Sequence, residues 1–426
     1  MSAFEKLTPP AGDAITVEGD ALRVPDHPII PFIRGDGVGP EIWSATQLVL
    51  DAAIAKAYGD AKKIVWFEIF AGDSALEVYG EGQHLPADTL EAIRAYRLAI
   101  KGPLATPIGG GIRSLNVALR QQLDLYACVR PVRFIPGTPA PLREPEKVDV
   151  VIFRENTEDV YAGIEWPAGS LAARDIVEFV RANEMIAADA PLSPDAAIGL
   201  KPITEHGSKR LIRRALRFAL AQGRPSVTLV HKGNIMKFTE GGFNSWGYEL
   251  AREEFGEFVL TEKEAEERFH GQTPPGKVIL KSRIADAMFM ELILKPEEHS
   301  VVATTNLNGD YLSDAAAALV GGLGFAAGAN LGDGLGVFEA VHGTAPDIAC
   351  TDTVNPCSLI LTGREMLAYM GWSAAADLVQ RAVNNVVGRG LVTADIACYL
   401  PNVVPLHCSE FAEAVAEEIG GVTGYL

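Results

Sequence analysis

Four arginines, Arg113, Arg120, Arg130 and Arg133, fall within GGGIRSLNVALRQQLDLYACVRPVR, residues 109–133, and a fifth, Arg154, follows the apolar run VDVVIF. Guanidinium forks bind carboxylates bidentately. Glycines at 109–111 let a backbone approach a ligand closely, and Ser114 and Asn116 add small polar groups beside them. Such a set suits a compact polycarboxylate; the plainer reading is a row of surface ion pairs. Asp310 and Asp314 in NGDYLSDAAAALV are four residues apart, so on a helix they share a face. That pair suits Mg²⁺ or Mn²⁺, which take few protein oxygens and share the substrate. It also suits a helix cap beside a solvated carboxylate. Asp286, in SRIADAMF, is a third metal candidate. Lys232, in HKGNIMKFTEG, is a candidate proton carrier or merely an exposed strand end. Tyr161, in RENTEDVYAGIE, is a candidate general acid or a buried tyrosine with its hydroxyl satisfied.

The elements that must hold these groups alternate. IIPFI at 29–33 reads as a strand, although Pro31 weakens it. RGDGVGP follows, and a helix opens near Pro40 with an apolar stripe through Ile42, Leu48, Val49 and Ala53. KIVWFEIF, VDVVIF, SVTLVHKGN and SVVATTN repeat the strand pattern, with helical stretches such as SKRLIRRALRFALAQG between them, which predicts an α/β protein. Residues 160–200 are irregular and proline-bearing, which suggests an inserted subdomain or arm. GLGFAA, from Gly322 to Ala327, fits a dinucleotide fingerprint formally, but GANLGDGLG follows it and cannot open a helix. No phosphate-binding Walker loop, H-E-x-x-H or G-x-S-x-G motif occurs.

The chain has 426 residues and a formal net charge of -18, room for two or three domains. Its mean field repels phosphate, which argues against nucleic acid and anionic membrane as partners and confines any cationic site to a pocket. The five cysteines are odd in number and lack C-x-x-C spacing, so a reducing, cytoplasmic setting is expected. The first twenty residues hold no apolar core of a secretory signal.

GDGVGP, IKGPLATPIGGGIRSLNVALRQQLDLYACVRPVR, FRENTEDVYAGIEW, LVHKGNIMKFTEG, NLNGDYLSDAAAA and EAVHGTAP…VNP occur in that order. Together they resemble the decarboxylating β-hydroxyacid dehydrogenases, most closely the bacterial homodimeric isocitrate dehydrogenases, over nearly the whole chain. The resemblance implies the α/β isocitrate/isopropylmalate dehydrogenase-like fold, which is not a Rossmann fold. A large domain would come from residues 1–124 and 318–426, and a small α/β domain from 125–317. An arm of the small domain, about 160–202, would clasp a second subunit.

The resemblance also implies roles. Ser114, Asn116, Arg120, Arg130 and Arg154 would hold the three carboxylates of isocitrate. Mg²⁺ or Mn²⁺ would sit on Asp310 and Asp314 of one subunit and Asp286 of the other. Lys232, from the partner, would assist removal of the hydroxyl proton, and Tyr161 would protonate the carbon that loses CO₂. Thr106, Glu339, His342, Gly343, Asp347, Ile348 and Asn355 fall on the cofactor side. Relatives tend to carry Thr-Thr where this chain has Ala105-Thr106.

NADP-using relatives carry Lys-Tyr after HGTAP, and a Tyr and an Arg further on; this chain has Asp347-Ile348, Ala394 and Cys398. A carboxylate can accept from a ribose diol and repels a 2′-phosphate, so the expected cofactor is NAD, with NADP use weak. Competing readings are the same chemistry on homoisocitrate or isopropylmalate, a silent regulatory subunit, and a plain anion-binding protein. Ser114 and Asn116 favour a γ-carboxylate over an isopropyl group, which would leave them unpaired.

Overall fold

The computed structural model describes residues 4–19, 21–105, 114–187 and 192–421. Its centre is one eleven-stranded sheet. In chain order the strands are β1 (Ile29–Ile33), β2 (Val65–Glu68), β3 (Leu98–Lys101), β4 (Ala127–Arg133), β5 (Asp149–Glu155), β6 (Ser226–His231), β7 (Val259–Thr261), β8 (Val278–Ile284), β9 (Val301–Thr304), β10 (Ala327–Gly332) and β11 (Leu335–Ala340). Their spatial order is β7-β8-β6-β9-β5-β4-β10-β11-β3-β1-β2.

Two parallel blocks flank an antiparallel centre. From β7 to β5 every neighbouring pair is parallel, as it is from β11 to β2. The pairs β5·β4, β4·β10 and β10·β11 are antiparallel. Parallel strands need helical crossovers, which cover both faces, so the strands read as continuous apolar runs. β1 is buried at all five positions, Pro31 included, and pairs in parallel with β2 and β3.

The helices used below are α1 (Gly39–Tyr58), α2 (Leu115–Gln122), α3 (Leu171–Ala182), α4 (Glu205–Ala221), α5 (Glu240–Phe255), α6 (Ala285–Leu294), α7 (Asn306–Ala318), α8 (Cys357–Tyr369), α9 (Ser373–Gly388) and α10 (Cys408–Gly421). The largest apolar core packs α1, α8, α9 and α10 on the sheet, through residues such as Val49, Phe338, Ile360, Val383 and Phe411. Further cores under β5, β6 and β9 are filled by α4 and α5 on one side and by α6 and α7 on the other. Between Ile164 and Leu200, whose backbones hydrogen-bond, the chain makes an excursion. It holds α3 and a two-stranded ribbon, Glu165–Trp166 with Ile198–Gly199. The G-x-G-x-x-A stretch makes one 3-10 turn, Leu323–Phe325, and its last residue begins β10, so those glycines open no α-helix. Among the described residues no helix is long and apolar enough to cross a membrane.

The RGDGVGP loop is fixed by close backbone approach. Gly37 has φ +59°, and a Cβ there would lie 2.1 Å from the carbonyl oxygen of Thr344. Gly59 also has φ +59° but nothing within 4 Å of a Cβ. Both pay the left-handed cost on substitution by alanine; only Gly37 adds a clash with backbone. Thermal melts of Gly37→Ala and Gly59→Ala are therefore expected to separate. Gly59→Ala, at ψ −137° outside the left-handed α basin, should lose about 1–3 kcal/mol and Gly37→Ala at least about 2 kcal/mol more. Equal losses would show that the 37–344 contact is loose.

Candidate active site

The site lies where the sheet changes direction. Lys101 ends β3, and Glu339 is its directly paired residue on β11. Lys101 Nζ is 2.9 Å from Glu339, with side chains 2% and 8% exposed. Arg120, in the last turn of α2, donates to the other oxygen of Glu339 at 2.6 Å, and Asn330 Nδ2 on β10 donates to that same oxygen at 2.8 Å. Burial alone would push the Glu339 carboxyl up; Lys101 and Arg120 outweigh it and hold the group well below the usual carboxylate range.

Arg130 and Arg154 reach the same place from β4 and β5. Cys128 is paired with Arg154 across the strands, and Arg130 lies two residues beyond Cys128, so the three share one face. Arg130 donates to Ser313 Oγ at 2.5 Å and to Asp314 at 2.9 Å. Arg154 donates from Nε to Asn306 at 2.9 Å and from Nη1 to Asp310, and its guanidinium lies 4.8 Å from the Tyr161 ring centre. The Tyr161 hydroxyl donates to the second oxygen of Asp310.

Asp310 and Asp314 stand one turn apart on α7, as their spacing predicts. Only glycine at 309 lets that helix lie on Arg154, since a Cβ there would come within 2.6 Å of the arginine stem. The two carboxyls differ. Burial raises both, but Arg154 and the Tyr161 hydroxyl bring Asp310 below its ordinary value, whereas Asp314 stays above it despite Arg130. The Tyr161 hydroxyl is pushed up to about 12 by burial and by its bond to Asp310, so it stays protonated.

A cavity of about 130 Å³ opens between these strands, lined in part by Lys101, Asn116, Arg120, Cys128, Arg130 and His342. Arg120 Nε, Arg130 Nε, Asn116 Oδ1 and His342 Nε2 are buried with no hydrogen-bond partner among the described residues. Buried polar atoms left unpaired are costly, and an anionic ligand would satisfy the donors among them. Ser114 is the N-cap residue of α2, but its hydroxyl makes no cap bond. Gly343 also lines the cavity, and His342 Nδ1 faces the Gly343 carbonyl at 2.9 Å. Asn355 is buried and donates to Asp395 at 3.0 Å. Thr106, Gly109–Gly111 and Arg113 lie outside the described residues.

Lys232 and Asp286 are not gathered with this cluster. They pair with each other at 2.5 Å, and the Asp286 side chain is 70% exposed. Among the described residues no three His, Cys, Asp or Glu side chains of one chain are grouped to hold a metal. Asp310 and Asp314 offer two hard oxygens on one face, which fits Mg²⁺ or Mn²⁺ sharing the rest of its shell with water and ligand.

Sequence reasoning missed Lys101 and Cys128. Lys101 had a signal, a lysine closing the apolar strand LAIK before Gly-Pro; Cys128 had none beyond its two-residue spacing from Arg130. Ser313 and Asn306, which hold two of the arginines, were also missed.

A model of the isocitrate/isopropylmalate dehydrogenase family matches residues 29–415. A protein of Archaeoglobus fulgidus named isocitrate dehydrogenase (NADP) is 52% identical over 417 residues, 98% of this chain and 99% of that protein. One of Coxiella burnetii with the same name is 53% identical over 96% of each chain. The crystal structure of isocitrate dehydrogenase from Methylococcus capsulatus matches with a TM-score of 0.74 at 39% identity, over 92% of this chain and 99% of that one.

Relatives this similar, named for NADP, overturn the expectation of NAD with weak NADP use. That expectation gave Asp347 too much weight. Asp347 and Ile348 are both exposed, on the single turn Pro346–Ile348. A charge in water acts on another 4 Å away with only about 1 kcal/mol, and salt screens it further. An exposed aspartate cannot by itself impose a preference of several powers of ten.

Above the unfolded carboxyl pKa of about 4.3 the Glu339 ion pairs contribute fully. Their contribution fades as pH falls through the depressed folded value. Glu339→Gln strands Lys101 and Arg120, so urea melts near neutral pH should show a loss of about 3–5 kcal/mol. The gap from wild type should narrow only below about pH 4. A gap that is constant down to strongly acidic pH would mean that the pairs contribute nothing specific.

Proposed function

The chain belongs to the isocitrate/isopropylmalate dehydrogenase family, and from that premise we propose that it oxidises isocitrate and decarboxylates it to 2-oxoglutarate and CO₂, with NADP as hydride acceptor. The observation that supports this substrate most is the convergence of Lys101, Arg120 and Arg130 on one cavity with unpaired guanidinium nitrogens. Arg154 stands beside them. A tricarboxylate needs that density of donors in that little space.

Arg120, Arg130 and Arg154 bind the carboxylates, and Ser114 and Asn116 orient the γ-carboxylate. Their forks fix the substrate in one pose, and orientation of this kind supplies a large part of a catalysed rate. Asp310 and Asp314 would hold Mg²⁺ or Mn²⁺, with Asp286 of the partner subunit as the third carboxylate. When bound, the cation supplies Lewis-acid polarisation of the substrate oxygens. Charge bookkeeping favours it: four local cations and a divalent ion would offset Glu339, Asp310, Asp314 and three substrate carboxylates.

Lys232 of the partner subunit takes part in removing the C2 hydroxyl proton. Tyr161, protonated and within reach of Asp310, gives a proton to the carbon from which CO₂ departs. His342, Gly343 and Asn355 lie on the cofactor side, with Thr106 and the exposed Asp347 and Ile348; bound NADP would supply hydride acceptance. The unpaired His342 Nε2 in the cavity wall fits a polar ligand there. That Lys232 and Asp286 do not line the cavity supports a homodimer in which a second copy completes each site, with residues 125–317 as the small domain and the arm as its clasp.

The direct test is appearance of reduced nicotinamide with isocitrate, Mg²⁺ and NADP, against chelator and against isopropylmalate. Turnover should require isocitrate and metal together. Tyr161→Phe should lower kcat by about 10²–10⁴ and leave KM for isocitrate within about threefold. Absence of turnover on isocitrate by a folded, metal-loaded dimer would overturn the substrate reading; an unchanged kcat in Tyr161→Phe would remove the tyrosine from the chemistry.

A further inference from the structure

Away from the cavity, one cation lies between two carboxylates that see no solvent. Lys201 Nζ is 2.5 Å from Asp159 and 2.9 Å from Glu240, whose side chains are 1% and 0% exposed. Each carboxylate also grips a different part of the site. Asp159 accepts from the backbone N–H of Val160 at 2.7 Å and of Leu307 at 3.0 Å. The first lies in the turn Asp159–Ala162 that carries Tyr161, and the second in the first turn of α7, which carries Asp310 and Asp314. Glu240 accepts from the backbone N–H of Lys232 at 2.7 Å, from Asn308 Nδ2 at 2.8 Å and from Thr305 Oγ1 at 2.9 Å.

Lys201 itself stands at the root of the excursion. The preceding residue, Leu200, bonds back to Ile164, and the following residue, Pro202, accepts from the N–H of Asp159. We propose that Lys201 is a positioning residue that couples the arm to the chemistry: its ion pairs lock the arm's root to the Tyr161 turn, the Lys232 loop and the start of α7 at once. Buried carboxylates are strongly unfavourable without a counter-charge. Removing this ammonium leaves Asp159 and Glu240 facing each other uncompensated, and the segments they hold separate. The coupling has a further consequence in the dimer proposed above, on which this inference rests. Tyr161 would serve the protomer's own site and Lys232 the partner's, so one lysine held by two buried carboxylates would set the geometry of both.

The test compares wild type, Lys201→Met and Lys201→Arg as full-length dimers. Hydrogen exchange is followed in peptides covering residues 157–163, 230–236 and 303–310, alongside kcat and KM for isocitrate. Lys201→Met should stay dimeric and exchange faster in those three segments. It should lose about tenfold or more in kcat with KM changed less than about threefold, and Lys201→Arg should recover most of both. If Lys201→Met does not fold, Glu240→Gln replaces it. That change leaves Lys201 paired one to one with Asp159, so it should fold, loosen the Lys232 segment and lower kcat while Leu307 stays protected. Unchanged exchange in these segments, or a uniform rise across the chain with KM and kcat moving together, would overturn the proposal. If wild type turns over no isocitrate, the functional reading fails and the exchange data alone decide the coupling.

Discussion

Concentrated positive charge inside an acidic protein is the constraint around which this structure is arranged. Lys101, Arg120, Arg130 and Arg154 are all largely buried within a chain of net charge -18. Burying four cations without partners would cost more than a domain's whole stability. Each is therefore held by a carboxylate: Glu339 takes two, and Asp310 and Asp314 take the others. The two kinds of partnership differ in permanence. Both oxygens of Glu339 are committed, and its depressed pKa follows from that. Asp310 and Asp314 are more open, with side chains 31% and 51% exposed, so their bonds to the arginines can exchange with water. Four cations thus face three carboxylates, and the free site keeps a surplus of one positive charge in a hydrogen-bonded form. In the reading proposed above, an incoming carboxylate would meet guanidinium groups already hydrogen-bonded to protein carboxylates rather than a bare cationic hole.

The antiparallel centre of the sheet makes this arrangement possible. In a wholly parallel sheet the strand ends that carry ligands lie along one edge. Here β4 and β10 run against their neighbours, so Arg130 in mid-strand comes beside Arg154 near the end of β5. Glu339 and Lys101 meet in parallel register next door. The site is consequently walled by backbone on which most polar groups are already satisfied, and side-chain placement inherits the rigidity of the ladder. Gly309 lets α7 press its aspartates onto the same cluster without a Cβ in the way.

Much of this was legible in the residues and some was not, for physical reasons. Strands such as VDVVIF and SVTLVH show themselves because burial on both faces demands unbroken apolar runs. Asp310 and Asp314 show themselves because helical spacing is local. Lys101 pairing with Glu339 is not local: those residues are far apart in the chain, and only the strand order joins them. The same holds for Lys201, which reads as a lone lysine before a proline and becomes a hub only when Asp159 and Glu240 close on it. Asp347 misled for the opposite reason. Its charge is visible in the sequence, but its exposure is not, and exposure decides how far a charge acts.

The same distinction separates the two lysines assigned to the chemistry and its support. Lys232 is held at its backbone by Glu240, while its side chain reaches out to the exposed Asp286. Its main chain is fixed while its ammonium, paired with an exposed carboxylate, is free to change partners, which suits the role proposed for it above. Lys201 is the reverse: its ammonium is fixed by two buried carboxylates and offers no proton to a ligand. Charge that must act is left near water, where exchange is cheap. Charge that must hold is buried, where breaking it is expensive. By that rule the carboxylates sort as well, with Glu339, Asp159 and Glu240 as fixed points and Asp310, Asp314 and Asp286 as groups that can let go of their present partners.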